Sequence, residues 1–125
     1  MPNSLADTNI FIAVFNGDTF LKEFIGSNRP AISTIVYLEL IQGSKNKAEI
    51  KKIEKLLSFF ETRHFDRPIA LRSIELIRTY SKSHGLRLAD AVIAATCLEN
   101  DLKLITFNVK DFRFIKGLKA VTPKP

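Results

Sequence analysis

The hydrophobic positions of this chain fall into short blocks that alternate between two periods. Residues 4–7, 30–32 and 103–106 are brief runs of strand type, too short for a helix. Residues 119–121 make a last, weaker one. Between them the apolar period lengthens to that of a helix. Thr8 or Asn9 suits the cap of a helix through Val14, and a second runs over 18–25 and ends in Gly26, Ser27 and Asn28. Ser33 or Thr34 caps a third helix to Gln42, with Gly43 as its stop. The clearest amphipathic stretch is 47–60, where Ile50, Ile53, Leu56, Leu57 and Phe60 share one face and Lys47, Lys51, Lys52 and Lys55 the other. Pro68 suits the first turn of a helix ending near Gly85, and 88–99 is helical again.

Strands alternating with helices predict an α/β fold: one domain over 1–125, with a central parallel sheet and helices on both faces. In such sheets ligands bind beyond the carboxyl ends of the strands. That rule directs attention to Asp7 after the first strand, and to Asn108 and Asp111 after the 103–106 strand.

Composition adds bounds. At 125 residues and 46% hydrophobic, the chain has material for one ordinary core. Its longest apolar runs fall far short of the ~20 residues a membrane span needs. The opening residues carry no basic segment followed by an apolar one, so no signal peptide is expected. The single cysteine, Cys97, reads as a small buried hydrophobe and fits a reducing, cytoplasmic setting. Nineteen Lys and Arg against thirteen Asp and Glu give +6, which favours a polyanionic partner, nucleic acid before membrane. P-loop, zinc-finger and aromatic-interleaved RNA signatures are missing, so base-specific recognition is not readable.

Three acids stand in apolar company. In "LADTNIFIAV" Asp7 falls at a strand's end, where an Asx-turn or helix cap would also account for it. In "STIVYLELIQG" Glu39 shares a helix face with Ile35 and Val36, unless it forms a narrow polar stripe with Gln42. In "RLADAVIAAT" Asp90 sits in a first helical turn, where the helix dipole alone favours a carboxylate by ~0.3–1 kcal/mol. Ile93 and Ala94 on the same side turn Asp90 toward packed structure. A buried unpaired carboxylate costs several kcal/mol, and a cation removes most of that penalty. Hard oxygen ligands with several negative charges suit Mg²⁺. Zinc would favour histidine and cysteine. His64 and His84 stand in loop-like contexts and read as surface residues.

Together with "LITFNVKDF", these stretches in this order and spacing resemble a PIN domain over essentially the whole chain. The short length makes it most similar to the VapC-type toxins of toxin–antitoxin pairs. The resemblance implies acids gathered at the carboxyl edge of the sheet to hold Mg²⁺ or Mn²⁺, endoribonuclease activity on RNA, and inhibition by a cognate antitoxin. Asp7, Glu39 and Asp90 match the family's three most regular acids. Thr8 and Asn9 match its Asp-Thr-Asn opening, and Thr106 its later threonine. Many relatives carry aspartate two residues beyond that threonine, where this chain has Asn108. Asp111, three residues on, is then the candidate fourth acid, with Asn108 as a polar helper. The alternative is that Asp111 caps a short helix at 112–116. Arg87, Lys110 and Arg113 are expected at phosphates. A homodimer through the apolar helices at 18–25 and 33–42 is also expected.

Two other classes compete. A phosphotransfer domain also uses an acid after its first strand, but a haloacid-dehalogenase-like phosphatase needs aspartate where Asn9 stands. A receiver domain needs a lysine where this chain has "TFNVKDF". A catalytically silent PIN fold, binding RNA or protein, is the other rival. Such members lose acids, and Asp7, Glu39 and Asp90 are all present.

Overall fold

The strand of 4–7 ends a residue early because Asp7, still bonded to the last carbonyl of the neighbouring strand, already caps a helix. In the computed structural model, which describes residues 1–124, β1 (Ser4–Ala6) runs directly into α1 (Thr8–Phe15). There follow α2 (Thr19–Asn28), β2 (Ile32–Ser33), α3 (Thr34–Gln42), α4 (Lys47–Leu57) and β3 (Thr62–Arg63). The chain continues with α5 (Arg67–His84), α6 (Leu88–Asn100), β4 (Lys103–Ile105), a 3-10 turn at Val109–Asp111, and β5 (Ala120–Val121).

All pairings are parallel: β1 with β4, β4 with β5, and β2 with β3. A single bridge, Leu5 with Ala31, joins the two sheets, and the Ala31 N–H donates to the Ser4 carbonyl at 2.8 Å. The strands therefore lie in the order β3-β2-β1-β4-β5. From β1 the chain first builds outward through β2 and β3, then crosses to the other side for β4 and β5. That reversal between β1 and β4 is a topological switch point, where the flanking connections leave to opposite sides and open a crevice. Asp7 and Thr106 are the residues directly after those two strands.

The sheet centre is dry: Leu5, Ala6, Leu104 and Ile105 are fully buried. Against it packs α6, whose Ala91, Ile93, Ala94, Ala95 and Cys97 are buried nearly all round. Small side chains there let α5 lie close along α6, the most extensive helix contact in the fold. Each fully buried large side chain, such as Phe11 or Ile93, contributes ~1.5–3 kcal/mol.

Several boundaries differ from expectation. Asp7 itself caps α1, in place of Thr8 or Asn9. α2 runs on through Gly26 to Asn28, past the expected end near Ile25, and stops on Arg29, which takes the left-handed conformation. α4 ends at Leu57, three residues early, and β3 was not foreseen. A two-residue strand leaves almost no periodicity to read. Asp66 is exposed and accepts from the Ile69 N–H as the cap of α5.

Candidate active site

At the switch point the backbone first fixes Asp7. Its N–H donates to the Ile105 carbonyl at 2.9 Å, which locks it to the end of β4. Its side chain is 6% exposed, and both oxygens are held. Oδ1 accepts from the Thr8 N–H at 2.7 Å, and Oδ2 accepts from the Thr106 hydroxyl at 2.7 Å. Thr106 is fully buried, and its Oγ1 also accepts from the Asn108 N–H at 3.0 Å. One threonine thus sets both the acid of β1 and the turn after β4. Thr8 works on the other side: its hydroxyl donates to Glu39 Oε1 at 2.8 Å, tying α3 to the start of α1.

Burial raises the Asp7 carboxyl above its ordinary value against the two hydrogen bonds that lower it, and the Glu39 and Asp111 carboxylates raise it further. Asp90 lies in the first turn of α6, half-buried. Burial, then the charges of Asp7, Asp111 and Glu39, push it up to about 6, with Arg87 partly offsetting them. Four acids, from the cap of α1, from α3, from α6 and from the 3-10 turn, therefore share one electrostatic neighbourhood. The structure brings together Asp7, Thr8, Glu39, Asp90, Thr106, Asn108 and Asp111. Asp111 caps no helix, because residues 112–117 form turns rather than the expected alternative helix.

Among the described residues, no three Asp, Glu, His or Cys side chains stand at the spacing one ion imposes. The donor set is all oxygen, which fits a hard divalent cation. The buried Asn9 Oδ1 adds one further oxygen at the start of α1 with no hydrogen-bond partner. Cys97 is no part of this chemistry: burial, then the Asp7 charge, push its thiol far up.

Beside the acids opens a cleft of about 570 Å³, lined by Asp90, Asn108 and Asp111 and by the cations Arg87 and Lys110. Arg113, expected at phosphates with them, is exposed outside this lining. His84 does line the cleft, a place its sequence context did not disclose.

The raised Asp90 carboxyl has a consequence for stability. Its folded pKa of about 6 exceeds the ordinary 3.8, so between those values the folded state holds the proton more tightly than the unfolded chain. Stability in chelator should fall as pH rises across this window and level off above it. Asp90→Asn should reduce that slope in denaturant melts, leaving the part that Asp7 contributes. A wild-type stability that climbs across the window, or an unchanged slope in the variant, would refute the placement of Asp90 among the acids.

Similarity to known proteins identifies the family of the chain. The PIN domain family matches residues 5–117. Ribonuclease VapC10 of Mycobacterium tuberculosis is 34% identical, over 92% of this chain and 90% of that one. A toxin–antitoxin complex from Klebsiella pneumoniae contains a chain 36% identical with TM-score 0.80, covering 97% of this chain and 98% of that one. VapBC-1 from nontypeable Haemophilus influenzae gives 29% identity and TM-score 0.79, covering 95% and 96%. The chain belongs to the PIN domain family, and within it to the VapC-type toxins.

Proposed function

We propose that this chain is a divalent-metal-dependent endoribonuclease, the toxin of a toxin–antitoxin pair. The observation that carries the reading is the placing of four acids at the switch point of the sheet: Asp7 and Glu39 both accept from Thr8, and Asp90 and Asp111 line the adjoining cleft. It is supported by relatives named as ribonucleases and by solved toxin–antitoxin complexes. Asp7 and Asp90, with Asp111, would hold Mg²⁺ or Mn²⁺, and Glu39 would do so directly or through water. The bound ion supplies positive charge opposite the scissile phosphate and acidifies water at neutral pH.

The chain's own residues do the rest. Thr106 and the Thr8 N–H hold the Asp7 carboxylate in one orientation, and the Thr8 hydroxyl does so for Glu39. Arg87 and Lys110 offset the acids' repulsion of an RNA phosphate from the cleft wall. Among the described residues no helix is long and apolar enough to cross a membrane. The cytoplasm, where RNA and a cognate antitoxin would meet the chain, is the proposed place of the activity. The partners are RNA, a cognate antitoxin and a second copy of the chain. Ile12 and Leu38, exposed on α1 and α3, offer apolar contact, whereas α2 exposes no large hydrophobic side chain among the described residues. Half-buried Phe20 and Phe24 keep α2 in the proposed contact beside α3.

Cleavage of a structured RNA by purified chain, present with Mg²⁺ and lost in chelator, tests the reading. A second test separates Asp111 from Asn108. Asp111→Asn should raise the Mg²⁺ concentration needed for half-maximal cleavage several-fold, because a neutral oxygen replaces a charged one at an exposed, outer position. The melting temperature should hardly move. An unaltered metal requirement would remove Asp111 from the site and leave Asn108.

A further inference from the structure

The cleft beside the acids has an aromatic wall that phosphate hydrolysis does not need. His84, the last residue of α5, is exposed, and its ring stacks on that of Phe114 with centroids 4.4 Å apart and planes 12° apart. Tyr80, one turn back on α5, meets both rings edge-on, at 5.7 Å from His84 and 5.3 Å from Phe114. The Tyr80 hydroxyl accepts from the Lys116 N–H at 3.2 Å, so the turn carrying Phe114 is pinned to α5. The His84 Nδ1 lies 2.7 Å from the Ser83 hydroxyl, which steadies the imidazole. Gly85 at φ 69 then turns the chain sharply toward Arg87 and Asp90. A fixed, exposed π-face thus lines the same cleft as two of the acids and two cations.

We infer that the His84–Phe114 stack is a base-binding subsite, on which an unpaired base of the RNA stacks while the adjoining phosphate lies toward Arg87, Lys110 and the acids. The inference rests on the ribonuclease reading and adds to it a particular place for a base, on the wall formed by the end of α5 and the turn after Asp111. Aromatic side chains take splayed bases, and a paired base has both faces occupied by its neighbours. A flat face without a fixed donor and acceptor set tolerates any base, which makes this a platform rather than a sequence reader. The volume of about 570 Å³ gives the base and its sugar-phosphate room together.

The test measures binding of fluorescent RNA octamers to the full chain by anisotropy, in chelator so that nothing is cut. The probes are oligo(A), a base-free ribose-phosphate octamer of equal charge, and a fully paired hairpin. The wild type should bind oligo(A) about tenfold more tightly than the base-free strand or the hairpin. His84→Ala should lose that preference with unchanged affinity for the base-free strand, and His84→Phe should keep it. The subsite is overturned if His84→Ala keeps the preference, if it weakens both single strands equally, or if its only effect is a lower melting temperature. A wild type that cleaves RNA with Mg²⁺ but shows no preference for bases overturns the subsite alone. One that neither cleaves nor binds RNA overturns the ribonuclease reading as well.

Discussion

Asp7→Asn is expected to lower RNA cleavage by roughly a thousandfold, as loss of a charged ligand in a metal site removes several kcal/mol of transition-state stabilisation. The same variant should melt no lower than wild type in chelator. Asparagine caps a helix as well as aspartate does, so the bond from the Thr8 N–H survives, and the Thr106 hydroxyl, which in the wild type donates to Oδ2, can turn to accept from the amide NH2. Removing one anion from a buried group raised by its neighbours also relieves repulsion. Asp7→Ala provides the contrast. It should lose the cap, at about 1 kcal/mol, along with the acceptor of the Thr106 hydroxyl. A folded Asp7→Asn protein that cleaves RNA at the wild-type rate would remove Asp7 from the catalytic set.

Thr106→Val should cost about 2 kcal/mol of stability and reduce cleavage about tenfold, although valine fills nearly the same volume. The fully buried hydroxyl donates to Asp7 Oδ2 and accepts from the Asn108 N–H. Without it one carboxylate oxygen and one amide are left unpaired, and a buried unsatisfied group costs ~1–3 kcal/mol. Thr106 is a positioning residue, so Thr106→Ser, which restores the hydroxyl, should recover most of both losses. Denaturant melts and cleavage rates on the three proteins check this. Equal stability of the valine and wild-type chains would show that the hydroxyl holds nothing.

The sequence carried the sheet and the three acids at different strengths. Asp90 was conspicuous because α6 is apolar on nearly every side, so one charge among Ala91, Ile93 and Ala94 had few innocuous places to point. Asp7 was conspicuous because a strand ended there, and its two readings proved compatible: one side chain caps α1 and faces the other acids. Other features had no local signature. β3 has two residues, and the Thr106–Asp7 bond joins positions 99 apart. The His84–Phe114 stack also depends on a fold that brings α5's last turn against the turn after Asp111. Pattern reading finds periodicity and isolated charge, and neither marks a contact made only by tertiary packing.

The central claim is that acids at the switch point hydrolyse RNA with the help of a divalent cation and water. Its most direct test is cleavage of an RNA carrying a single 2′-deoxynucleotide at the scissile position, by chelator-stripped wild type to which Mg²⁺ is returned. Water as the nucleophile needs no 2′-hydroxyl, so the account predicts Mg²⁺-dependent cleavage of this substrate near the all-RNA rate, with linear phosphate ends. Cleavage that persists in chelator, stops at the deoxynucleotide and leaves 2′,3′-cyclic phosphate on all-RNA would contradict it.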